Sequence, residues 1–107
     1  MNTSSITAIG NDYDFEEVFA RPLKGLAKKG DLLVAISTYG NSPNVLRAAE
    51  VAKRLVVYTV GLAGKDGGQL AGMCDLSIVV PSNRTSRIQE AHIMIGYIMC
   101  QYIDELA

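Results

Sequence analysis

The sequence predicts an α/β domain: a doubly wound, mostly parallel sheet of about four strands with flanking helices. Three observations carry this expectation. Asp31–Ser37 (DLLVAIS), Val56–Leu62 (VVYTVGL) and Leu76–Val80 (LSIVV) are short apolar runs that do not alternate with polar residues. Such runs, rich in β-branched residues, read as strands buried on both faces, the pattern of a parallel sheet. Segments of helical period stand between them and supply the crossovers that parallel strands need. The length, 107 residues, fits one small domain spanning 1–107.

Each element follows in order. Ile6–Ile9 is the first strand and the weakest. Asp14–Ala27 places Phe15, Val18, Phe19, Leu23 and Leu26 roughly on one helical face, although Pro22 should break or restart that helix. Pro43–Leu55 repeats the helical spacing through Val45, Leu46, Ala49, Ala52 and Leu55, and Gly68–Met73 reads as a short helical turn. Ser86–Leu106 is the longest helix. Ile88, Ala91, Ile95, Ile98, Met99, Tyr102 and Leu106 form one apolar face, and Ile93, Met94, Tyr97 and Cys100 extend it around much of the remainder. A helix apolar on most sides has to be buried on several, so a homo-oligomer joined through this helix is expected.

Composition narrows the classes of function. Hydrophobic residues make up 49% and charged residues 20%, as in ordinary globular proteins. Ten Lys and Arg against eleven Asp and Glu leave a net charge of -1, which argues against direct nucleic-acid binding through bulk positive charge. No apolar run approaches the roughly 18–20 residues of a membrane span. Met1–Ser5 lacks the basic and apolar regions of a secretion signal, so a cytoplasmic protein is expected. Cys74 and Cys100 both sit in apolar stretches and read as free, buried thiols.

The strongest candidate site is Ser37-Thr38-Tyr39-Gly40-Asn41-Ser42-Pro43. It lies at the carboxyl end of a buried strand and leads into a helix, the place where open α/β sheets bind ligands. Ser42 suits the N-cap and Pro43 the first helical position. Hydroxyls at Ser37, Thr38 and Ser42, a glycine at 40 and the free N–H groups of a helix start together describe a phosphate site that needs no lysine. The competing account is a turn in which Ser42 only caps the helix.

The runs AISTYGNSPNVLRAAEVAK, VGLAGKDGGQLAGMCD and VPSNRTSRIQEAH, preceded by ITAIGNDYDFEEVFARPL, resemble the sugar isomerase (SIS) domain family, closest to its phosphoheptose isomerases. The resemblance covers essentially all of the chain and matches the C-terminal half of that family. It implies that Ser37, Thr38 and Ser42 hold a sugar phosphate and that Asn11 and Asp12 line the sugar site. Gln89 would contact substrate and zinc. Locally, Ser86-Arg87-Ile88-Gln89 also fits a capping box, and Asn11-Asp12 also fits a turn. Zinc is the cofactor the resemblance implies, with an incomplete ligand set in this chain.

Two departures bear on chemistry. Tyr97 stands where the family carries a catalytic His, eight residues after Gln89. With a pKa near 10, about one tyrosine in a thousand is ionised at pH 7, a poor general base. His92, the one histidine, reads as a packed residue rather than a ligand. The family's N-terminal half, with its catalytic Glu, has no counterpart in these residues, so no catalytic residue is assigned. The expectation is a phosphosugar-binding domain with weak or absent aldose–ketose isomerisation of sedoheptulose 7-phosphate. The alternative is a non-catalytic interaction module resembling the replication-initiator-associating proteins; a gene remnant is the third reading.

Overall fold

A computed structural model describes residues 5–9 and 19–106. Four strands form one parallel sheet in the order β1-β2-β3-β4: β1 Ser5–Ile9, β2 Leu32–Ile36, β3 Tyr58–Gly64 and β4 Leu76–Val80. Three helices accompany them, α1 Ala20–Leu26, α2 Pro43–Arg54 and α3 Thr85–Leu106, with a single 3-10 turn at Leu70–Gly72. Pro22 falls in the first turn of α1, where a missing N–H leaves no helical bond unmade.

The strand order advances in one direction. Right-handed crossovers then place successive connections on one face of the sheet. The core agrees. Alternate residues Ala8, Leu33, Ala35 and Ala63 pack with Leu23 of α1, Val45, Ala48, Ala49 and Ala52 of α2, and Leu70. Their sequence neighbours Val34, Val60 and Leu62 point to the opposite face, where Ile95 and Met99 of α3 meet them. Helices therefore flank both faces, and the central strands are apolar without alternation because both of their faces are covered. The outer strand β1 is less protected, and its Ile9 is 60% exposed.

Small residues line the face of the sheet beneath α2 and the 3-10 turn. Cross-strand register aligns Ala8, Ala35, Gly61 and Ser77 in one row. A Cβ on Gly61 would stand 2.6 Å from the Cys74 sulfur, so a larger residue there would have to displace the Cys74 side chain. At its far end α2 closes with a Schellman motif: Val57 N–H donates to the Ala52 carbonyl and Val56 N–H to that of Lys53. Val56 takes the left-handed position, φ 57°, that glycine usually fills.

The inward stripe of α3 differs from the sequence expectation. Ile88 and His92 are buried and Ile95 and Met99 half-buried, while Ile98 and Tyr102 lie exposed with Ile93, Met94 and Tyr97. His92 is 3% exposed, and its Nε2 bonds the Ala63 carbonyl at 2.8 Å. That contact to a strand carbonyl is what a hydropathy pattern cannot foresee. Both cysteines are free, but only Cys74 is even half-buried; Cys100 is exposed, contrary to expectation, because α3 turns it away from the sheet. No described helix is long and apolar enough to cross a membrane.

Candidate functional site

The carboxyl edge of the sheet gathers three segments: 37–43 after β2, 65–69 after β3 and 81–87 after β4. Ser37 prolongs the β2–β3 ladder by one bond, its N–H donating to the Leu62 carbonyl at 3.0 Å. The chain then reverses, with Gly40 N–H donating to the Ser37 carbonyl. Gly40 has φ +79°, and Leu70 N–H donates to its carbonyl at 2.9 Å. Asn41 Oδ1 accepts from Gln69 N–H at 3.0 Å. The Gly67-Gly68 turn is thereby pressed onto the Ser37–Ser42 loop and holds it from below.

Ser42 is the N-cap residue of α2 and Pro43 its first helical residue, as the sequence predicts. Yet Ser42 makes no side-chain capping bond. Its Oγ accepts the Ser37 hydroxyl at 2.9 Å, and Ser37 Oγ accepts the Ser42 N–H at 3.1 Å. Ser37 and Ser42 are both buried. The simple-cap account of this loop is therefore not the one the hydrogen bonds follow. Asn44, buried in the first turn, covers the Val45 N–H with its own Oδ1 at 2.8 Å.

What remains is a set of unused donors. Among the described residues, the N–H groups of Thr38, Tyr39 and Asn41 and the hydroxyl of Thr38 meet no acceptor. No acidic residue occupies the first turn of α2 or of α3. Consecutive free N–H groups beside a helix start form a concavity suited to an anion. Arg84, Arg87 and Lys65 are exposed on the neighbouring segments and add positive charge to the same edge.

The remaining predicted residues divide. Gln89 lies exposed on α3, one turn from Thr85, and makes no hydrogen bond among the described residues. The helix begins at Thr85, and Ile88 N–H donates to the Arg84 carbonyl, so Ser86 is not the cap and the capping box does not form. Tyr97 lies on the same row, but at 1.5 Å per residue it stands roughly 18 Å along the helix from Thr85. Its hydroxyl accepts from the Gln101 amide at 3.3 Å. Asn11 and Asp12 lie outside the described residues. Two features went unread in the sequence: the docking of Gly67-Gly68 onto the loop, which the G-K-D-G-G spacing could have signalled, and a bond between the hydroxyls of Tyr39 and Thr85.

A metal finds little here. Among the described residues no three His, Cys, Asp or Glu side chains cluster. His92 commits Nε2 to Ala63, and its Nδ1 is buried without a partner. A cleft of about 320 Å³ lies at the opposite edge of the sheet, near Lys53, Tyr58, Cys74 and Asp75. Burial raises the Cys74 thiol to about 11, helped by the nearby Asp75 charge. A thiol so raised is not a nucleophile at neutral pH, and the cleft has no cluster of free donors like that at residues 38–41.

Residues 1–64 match the model of the SIS domain family. The chain belongs to the SIS domain family. This SIS domain is 62% identical over 105 residues to a phosphoheptose isomerase of a Nitratiruptor species, covering 98% of the chain and 56% of that protein. It is 51% identical to a phosphoheptose isomerase of Helicobacter hepaticus, covering 97% and 53%. Among solved structures it superposes on the phosphoheptose isomerase of Neisseria gonorrhoeae with a TM-score of 0.79 at 44% identity, covering 88% of this chain and 54% of that one. For the Francisella tularensis phosphoheptose isomerase the TM-score is 0.80 at 37% identity, covering 90% and 52%. The SIS domain thus spans about half the length of the curated relatives it matches.

Proposed function

We propose that this SIS domain binds a sugar phosphate, with the phosphate seated on the Ser37–Ser42 loop, as part of a phosphoheptose isomerase. One observation carries the reading. Ser37 and Ser42 satisfy each other, which fixes the loop, and among the described residues the Thr38, Tyr39 and Asn41 N–H groups meet no acceptor. The names of the relatives supply the sugar class, and sedoheptulose 7-phosphate is the substrate proposed.

Isomerisation moves a proton between adjacent carbons and needs a base at carbon and a second group at the oxygens. Gln89, about one helical turn from Thr85, is the residue we propose to hydrogen-bond the sugar oxygens. It carries no proton to transfer. Tyr97 stands where the family carries its catalytic His, and a phenol is a poor general base at neutral pH. Isomerisation by these residues alone is therefore weak or absent. Zinc would find in Gln89 a single weak ligand, and the described side chains do not complete a site for it.

The exposed row Ile93, Met94, Tyr97, Ile98 and Tyr102 is the surface through which we propose that the domain self-associates. A non-catalytic binding module is the second reading, favoured by Tyr97 standing in place of the family's histidine.

The test is solvent exchange. The protein is incubated with sedoheptulose 7-phosphate and zinc in heavy water and the sugar is followed by proton NMR. Broadened sugar signals without deuterium incorporation are expected. Deuterium beside the carbonyl carbon would show a working proton shuttle and overturn the inactive reading. Sharp, unexchanged signals would overturn phosphate binding itself.

A further inference from the structure

We propose that Tyr39 is a specificity-determining residue of this loop: strapped to Thr85, its ring walls the α3 side, so that the site takes phosphate monoesters with a slender primary carbon next to the phosphate and refuses those with a ring there. The proposal rests on the reading of the loop as a phosphate site. Tyr39 lies within the Ser37–Gly40 turn, closed by the Gly40 N–H bond to the Ser37 carbonyl. The backbone that carries the ring is held in that turn. A Cβ on Gly68 would stand 2.4 Å from the Tyr39 carbonyl oxygen, so the Gly67-Gly68 turn is already packed against it.

The ring is held at its other end as well. Its hydroxyl bonds the Thr85 hydroxyl, 46 residues away, at the first residue of α3. A planar side chain fixed at both ends spans the gap between the loop and α3. At 39% exposure it stands at the mouth of the site and is not core packing. The Tyr39 N–H is one of the free donors, so the wall rises from the anion position itself. A phosphate seated there can extend its chain past the ring towards Gln89, but cannot place a broad substituent where the ring already lies.

Amide chemical shifts of Thr38, Tyr39 and Asn41 provide the test. The 107-residue chain is titrated with inorganic phosphate, glycerol 3-phosphate and cyclohexyl phosphate. Wild type should bind glycerol 3-phosphate at least about tenfold more tightly than cyclohexyl phosphate. Thr85→Val frees the phenol without touching the anion position and should narrow that ratio by about 3- to 10-fold, the range one neutral hydrogen bond supplies. Tyr39→Ser should abolish the ratio. An unchanged ratio in both variants, with inorganic phosphate still bound, would overturn the Tyr39 proposal alone. Absence of any shift with inorganic phosphate in wild type would overturn the loop reading and the proposal with it.

Discussion

Gly40 faces the carbonyl of Gly67 so closely that a Cβ on Gly40 would lie 1.9 Å from the Gly67 oxygen. The obstacle is backbone, which cannot rotate away as a side chain would. Gly40 also has φ +79°, a conformation costing other residues about 1–2 kcal/mol. Gly40→Ala should therefore destabilise the domain by about 3 kcal/mol or more, read as a lowered urea midpoint. The same variant should lose the phosphate-induced shifts at Thr38 and Tyr39.

Ser37 and Ser42 should respond unequally to truncation. Ser37→Ala removes the acceptor of the buried Ser42 N–H and the donor to its hydroxyl, at a cost of about 1–3 kcal/mol. Ser42→Ala removes only the acceptor of the buried Ser37 hydroxyl and no capping bond, so its cost should fall at the lower end of that range, about 1 kcal/mol. Equal losses in urea denaturation would contradict the hydrogen-bond pattern described.

Replacing Val56 offers a gain. It sits at φ 57° with 66% of its surface exposed, so glycine would relieve strain and surrender little packing. Set against the greater freedom glycine gives the unfolded chain, the balance is about 0.5–1 kcal/mol in favour of Val56→Gly. The urea midpoint should rise with an unchanged slope.

Thiol chemistry should separate the two cysteines. With Cys74 at about 11, roughly one molecule in a thousand carries its thiolate at pH 8. Cys100 is exposed. In the dissociated monomer, iodoacetamide at pH 8 should give a single adduct, mapped by peptide mass to Cys100, and a second only on unfolding. The sign of the pH dependence follows from burial of the Cys74 thiol. Its folded value lies above the ordinary 9.0, so its contribution to stability is intact below that value and declines as pH rises towards 11.

Self-association through α3 gives the last prediction. Ile93→Glu with Ile98→Glu puts charge on the exposed row without touching the inward residues Ile88, His92, Ile95 and Met99. Sedimentation should show a smaller species than wild type, with an unchanged far-ultraviolet circular dichroism spectrum. A wild type already monomeric at the same concentration would remove that role from α3.

Much of this was legible because local rules and tertiary packing agree. The strand runs, Pro43 at the first position of α2 and Ser42 at its cap follow from hydropathy and helix-start chemistry. The unread part is where polar groups find distant partners. His92 enters the core through a carbonyl 29 residues earlier, and Asn44 is buried in α2 beside the loop. Tyr39 meets Thr85 across 46 residues, a relation no window of sequence contains. Asn11 and Asp12 rest on resemblance alone, being outside the described residues.

Ala8 and Ala35, in one cluster with Val45, Ala48, Ala49 and Ala52, give α2 the role of a lever, with its fulcrum on the sheet and its tip at the proposed phosphate loop. Thickening the fulcrum, as in Ala35→Val, would tilt the tip while leaving every loop residue chemically intact. Heritable change in the shape of the Ser37–Ser42 loop can thus arise in the middle of the sheet, from side chains outside the loop.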